Sequence, residues 1–253
     1  MKKFKNPYWP AIAVALLCTF LTAVGSAIVQ ITEVEEPVSY LIMAGGVAIS
    51  AILGLFIMKQ SGLTMEQYGF RRPAKGSISQ VWLFVPLLLL ELVPMLIYGF
   101  HFEKTPNVYA AILLFTIIVG FNEELYFRGL IFTFLKPKGT RAAIIGSAVI
   151  FGVLHAVNAL GGKNLWLVLL QIGFAFLVGL VLVQILNLTK SLWVGILWHI
   201  VHNFLSFSTE DVFDDKAIIV VAAQFIILIV YAIGLGISLS KQQASHPSVP
   251  IAN

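Results

Sequence analysis

Charge is scarce in this sequence. Only 11% of its 253 residues are Asp, Glu, Lys or Arg, against about 25% in an ordinary soluble domain. Hydrophobic residues make up 59%, and the mean hydropathy is +0.93. Water does not solvate so apolar a chain, so lipid must be the solvent for much of it. Cysteine is nearly absent. The single Cys18 lies in an apolar run, which excludes an intrachain disulfide and any cysteine-rich metal site. Long basic runs are lacking too. The net charge of +4 reads as the cations that membrane proteins hold on one face, not as a nucleic-acid footprint. No sequence repeat and no segment for a separate soluble domain are found; the longest polar linker is Lys59–Gln80.

Long apolar runs are what the sequence does have. A bilayer core of roughly 30 Å needs about 20 apolar residues in helical form. Eight windows qualify or nearly do: Tyr8–Ile31, Val38–Met58, Val81–Phe100, Val108–Leu135, Arg141–Leu160, Leu165–Leu188, Leu192–Phe207 and Ala217–Leu239. The fourth is long and the seventh short, which tilt or a broken helix accommodates. Trp9, Trp82, Tyr98, Trp166 and Trp193 lie near window ends, where amphipathic rings favour the interface. Lys2, Lys3 and Lys5 flank the first window like a signal peptide, but its apolar stretch is longer than an h-region, so it reads as a membrane helix. With the N-terminus inside, the inner segments hold twelve cations and the outer ones only Lys104, Lys163 and Lys216. That bias places both termini in the cytoplasm. The tail His246–Asn253 is polar and reads as disordered.

Some residues stand where hydropathy does not want them. The fourth window holds Asn122, Glu123, Glu124 and Arg128. Each central charge costs roughly 2.5–3.5 kcal/mol, and each Leu, Ile, Val or Phe returns roughly 0.3–0.6 kcal/mol. With three charges against sixteen such apolar residues the balance is near zero, so this face should turn inward, pair its charges or meet water. Glu124 and Arg128 are four apart and can pair. Glu123 lies about 100° around an α-helix from Glu124 and is left as the working carboxylate. The fifth window carries Phe151 and His155, and the seventh His199, His202 and Asn203. His199 and Asn203 share a face; His202 is off that pair and reads as packing or support. Imidazoles, a carboxylate and an amide suit proton transfer and oxyanion stabilisation. Glu91, between Pro86 and Pro94, is a fourth intramembrane acid, read as bonding a neighbouring helix.

Three motifs follow in order: Glu123-Glu124-Leu125-Tyr126-Phe127-Arg128 (EExxxR), Phe151-Gly152-Val153-Leu154-His155 (FxxxH) and His199-Ile200-Val201-His202-Asn203 (HxxxN). Over about Val108–Phe207 the chain resembles the CPBP family, which joins type II CAAX prenyl endopeptidases to Abi-type bacteriocin-immunity homologues. Tyr68-Gly69-Phe70 followed by Arg71-Arg72-Pro73 is suggestive of that family's linker. The resemblance implies peptide-bond hydrolysis within the membrane. Glu123 and His155 would activate a water, His199 and Asn203 would hold the oxyanion, and Glu124 and Arg128 would support the site. The expectation is an all-α integral membrane protein, a bundle of about eight transmembrane helices with the active site in its core. Residues 1–107 carry the first three helices and the linker, 108–207 the catalytic helices, and 208–253 the last helix and tail. No cofactor is expected. A zinc on Glu123, His155 and His199 is the variant, although the sequence has no HExxH helix. The partners expected are the lipid bilayer and a peptide or protein substrate entering from membrane or cytoplasm, with no nucleic acid, in a multi-pass protein of the cell membrane. A non-catalytic immunity or scaffold protein is the alternative, and a proton-coupled transporter a further one.

Overall fold

The computed structural model of the chain describes residues 6–77, 84–99, 103–162, 164–209 and 215–245. Among them there are helices and no strand, as the apolar runs require: in lipid, an isolated segment satisfies its own backbone hydrogen bonds only as a helix. Each sequence window contains one helical segment. These are α1 (Tyr8–Thr32), α2 (Val38–Gln60), α3 (Val85–Tyr98), α4 (Pro106–Lys138), α5 (Thr140–Leu154, continued as a 3₁₀ turn over His155–Gly161), α6 (Leu165–Thr189), α7 (Trp193–Ser208) and α8 (Asp215–Ser245). Trp82, the ends of the third window, Lys163 and the tail His246–Asn253 lie outside the described residues.

Six of these helices are long and apolar enough to cross a membrane: α1, α2, α4, α5 with its continuation, α6 and α8. The protein is therefore a multi-pass membrane protein. The other two are short: α3 has 14 described residues and α7 has 16, or about 21 and 24 Å at about 1.5 Å per residue. Chemistry sets their ends. Pro86 sits in the first turn of α3 and Pro106 opens α4, positions where a missing N–H costs nothing. Asn164 caps α6 by accepting from Trp166 N at 2.9 Å.

Two lobes of packing meet at α4. On one side α1 lies on α2 and α2 on α4, around Tyr40, Ala44, Val47, Ile112 and Phe115. On the other α5 packs on α6 and α6 on α8, with α3 resting on α8. The middle of α4 belongs to the larger core: Leu125, Tyr126, Leu130 and Ile131 are fully buried. Polar contacts tie the loops at opposite ends. Lys104 Nζ bonds Glu36 at 2.9 Å, joining the α1–α2 turn to the α3–α4 segment. At the other end the linker after α2 docks under the α6–α7 turn. Leu192 N donates to Gly69 O, Ala74 N to Thr189 O, both at 2.8 Å, and Ser191 Oγ to Arg71 O at 2.6 Å. Tyr68 is buried there, which pushes its phenol above its ordinary range, and Phe70 wedges against Phe121 and Trp193. Beside it, burial and the Arg71 charge lower the Lys190 ammonium.

Candidate active site

The charged stretch of α4 is not regular α-helix. Glu124–Ile131 is a π-helical segment inserted between α-helical turns. Its wider turn buries all eight of its residues, and such insertions are frequent at functional sites. Ser147 Oγ of α5 donates to Phe127 O at 2.7 Å, bracing the segment from outside. Its two charges meet as the spacing predicts: Arg128 Nη1 lies 2.9 Å from Glu124 Oε1, both side chains 1% exposed. The Arg128 guanidinium also lies over the Phe151 ring of α5, 4.2 Å from its centre. Among the described residues none of its nitrogens finds a well-aligned hydrogen bond, so charge attraction and the ring face hold it.

Across from α4, α7 brings His199 into the same cluster. His199 Nδ1 is 3.0 Å from Glu124 Oε1, and its Nε2 is 3.3 Å from Glu123 Oε2. The imidazole therefore spans both carboxylates of the EE pair. An ionised carboxylate only accepts, so Nδ1 carries a hydrogen towards Glu124. A proton on Nε2 as well would bring the two carboxylates, the guanidinium and the ring to zero net charge, the condition under which such a group is tolerable in an apolar interior.

Two glycines permit this approach. A Cβ on Gly195 of α7 would stand 2.9 Å from Glu124 Oε2, and a Cβ on Gly120 of α4 would stand 3.0 Å from the backbone nitrogen of Ile200. The helices touch backbone to backbone beside the carboxylates, and a side chain at either position would hold them apart.

His155 sits where the α-helical part of α5 passes into its 3₁₀ turn. Its Nδ1 is 2.9 Å from Phe151 O. A carbonyl only accepts, so Nδ1 is the donor and a neutral ring presents the Nε2 lone pair. His155 packs on Phe151 at 4.8 Å between centres, Phe151 packs on His199 at 6.2 Å, and Glu123, His199 and Arg128 are within electrostatic reach of it. Phe151 is thus the shared wall of the cluster. Asn203 lies one turn beyond His199 on α7, partly exposed, and its amide makes no hydrogen bond among the described residues.

Spacing within one helix could not find the link from Glu124 to His199, so Glu124 does more than balance Arg128. Two amides went unremarked in the sequence: Asn158, one turn after His155, donates to Gln171 Oε1 of α6 at 2.9 Å. Their only signal was polarity beside an apolar run. Asn122, at the head of the motif, is fully buried and donates to Cys18 Sγ at 3.3 Å. Glu91 and His202 meet each other, not the cluster. Among the described residues no three His, Cys, Asp or Glu side chains are grouped as metal ligands would be.

Comparison with known proteins adds one finding. Residues 105–205 match the family model described as "Type II CAAX prenyl endopeptidase Rce1-like". The matched span takes in α4 to α7 and all three motifs. No curated protein and no solved structure matches the chain.

Proposed function

We propose that this chain, which matches the type II CAAX prenyl endopeptidase Rce1-like family model over residues 105–205, is an intramembrane endopeptidase which hydrolyses a peptide bond with a water activated by Glu123 and His155. The observation that carries the reading is the His199 imidazole lying between the Glu123 and Glu124 carboxylates, at 3.3 and 3.0 Å. A carboxylate within reach of an imidazole inside an apolar wall is the arrangement that general-base hydrolysis needs. Water meets the Glu123 carboxylate and the Nε2 lone pair of His155. Glu123 takes its proton as oxygen attacks the substrate carbonyl. The oxyanion accepts hydrogen bonds from His199 Nε2–H and the Asn203 amide, each donor worth about 2.7–4 kcal/mol in such sites. The C–N bond then breaks, and the proton held by Glu123 passes to the departing nitrogen. Glu124 accepts from His199 Nδ1–H, so the ring donates from Nε2 as the imidazolium, and Arg128 balances Glu124.

Water activation is assigned here to these side chains without a metal. The charge bias of the loops orients the chain with both termini in the cytoplasm. His199 then lies about 10 Å from the inner end of α7, and a peptide substrate reaches it from the inner leaflet.

Purified Glu123→Ala and His155→Ala variants, assayed on a membrane peptide substrate beside the wild type, test the assignment. Both should lose turnover by about 10²–10⁴-fold while keeping the wild-type unfolding temperature. Wild-type turnover in Glu123→Ala removes the proposed base.

A further inference from the structure

A second carboxylate–imidazole pair lies in the bundle, and the hydrolytic scheme does not use it. His202 Nδ1 is 3.0 and 3.3 Å from the two oxygens of Glu91. Glu91 is buried and the His202 side chain is 21% exposed. The imidazole stacks on Trp198, with centres 4.9 Å apart and planes 16° apart, and on Phe174 of α6, at 5.6 Å and 26°. Aromatic faces and a carboxylate together hold the ring in one orientation.

The backbone around Glu91 is clamped as well. Pro94 has no N–H to give to Leu90 O four residues earlier. Gln224 of α8 supplies the missing donor, with Nε2 3.2 Å from Leu90 O. Trp198 Nε1 of α7 donates to Leu87 O at 3.3 Å. Apart from these contacts α3 packs far more broadly on α8 than on α7. Two polar contacts join α3 to α7: Leu87 O with Trp198, and Glu91 with His202.

His202 is three residues from His199, which on a helix is about 4.5 Å along the axis and about 60° around it. Any rotation of α7 that loosens one pair swings the other. We infer that Glu91 is a positioning residue: through His202 it fixes the rotation of α7 and so the aim of His199 and Asn203 at the reacting carbonyl. This rests on the hydrolytic reading for its kinetic consequence, but the geometric coupling stands apart from it. Displacement of a positioned group by about 1 Å is enough to lose about 10²-fold in rate.

The test compares Glu91→Leu, which fills the space but accepts no hydrogen bond, with Glu91→Gln, which keeps an accepting oxygen. In nanodiscs, Glu91→Leu should lower kcat by about 10- to 100-fold with KM within about twofold of wild type, and Glu91→Gln should recover most of the loss. In parallel, deuterium exchange at the C2–H of His199, read by mass spectrometry, should shift in Glu91→Leu and return in Glu91→Gln. If Glu91→Leu does not fold, His202→Phe keeps the ring stack, loses the bond and carries the same two readouts. Wild-type kcat in the folded leucine variant overturns the inference. If the wild type itself cleaves no peptide, the hydrolytic reading fails, and the exchange arm still decides: unaltered His199 exchange in Glu91→Leu shows that the joint does not position α7.

Discussion

Replacing Arg128 by leucine removes one partner of the most deeply buried ion pair among the described residues. Arg128 and Glu124 are each 1% exposed and 2.9 Å apart. Breaking such a pair by losing one member costs about 3–5 kcal/mol, because the other charge is left uncompensated. Two features place the cost at the lower end. His199 Nδ1 remains 3.0 Å from the same Glu124 oxygen and can carry a proton. Leucine also retains part of the apolar contact that Arg128 makes over Phe151. A loss of about 3 kcal/mol corresponds to a fall of about 6–12 °C in unfolding temperature for a chain of this size. Intrinsic fluorescence during heating of the purified protein in nanodiscs reads it directly. The paired change Glu124→Met with Arg128→Leu should recover at least half of the fall, since no lone charge then remains buried. The reasoning is refuted if Arg128→Leu unfolds within about 2 °C of wild type, or if the double variant is less stable than the single one.

Three further outcomes are expected. Asn203→Ala should lower kcat by about 10²–10³-fold with little change in KM or unfolding temperature, since its amide makes no hydrogen bond among the described residues; a purely raised KM in steady-state assays would assign it to binding instead. Gly120→Ala would press a methyl to within 3.0 Å of Ile200 N, so α4 and α7 must part, at a cost of about 1–3 kcal/mol seen as a lowered unfolding temperature together with lost turnover. Prolonged treatment with a strong chelator should leave turnover unchanged; loss that zinc restores would replace the carboxylate-and-imidazole scheme with a metal-bound water.

Much of the fold was legible because lipid enforces a simple rule: about 20 apolar residues in a row must be helical. Each window accordingly holds a helix, and the loop ends fall in register, Glu36 with Lys104 and the linker at Gly69 with Leu192. Hydropathy does not register backbone winding, so the π-helical turn over Glu124–Ile131 and the 3₁₀ turn after His155 left no trace in it. The Glu124–Arg128 pair was legible because four residues along one helix is a local distance. The His199 bridge was not. It depends on how α7 is rotated against α4, and that is set by the glycines at 120 and 195 and by partners 75 and 111 residues away in sequence. Glu91 was readable as bonding another helix, but which one depended on the same rotation.

Water as the nucleophile is the centre of the account, and isotope labelling addresses it directly. Cleavage of a membrane peptide by the purified protein in H₂¹⁸O, followed by mass spectrometry of the fragments, should place one heavy oxygen in the new C-terminal carboxylate, with no product from Glu123→Ala. Cleavage that leaves the new carboxylate unlabelled, or equal product from the Glu123→Ala protein, would contradict it.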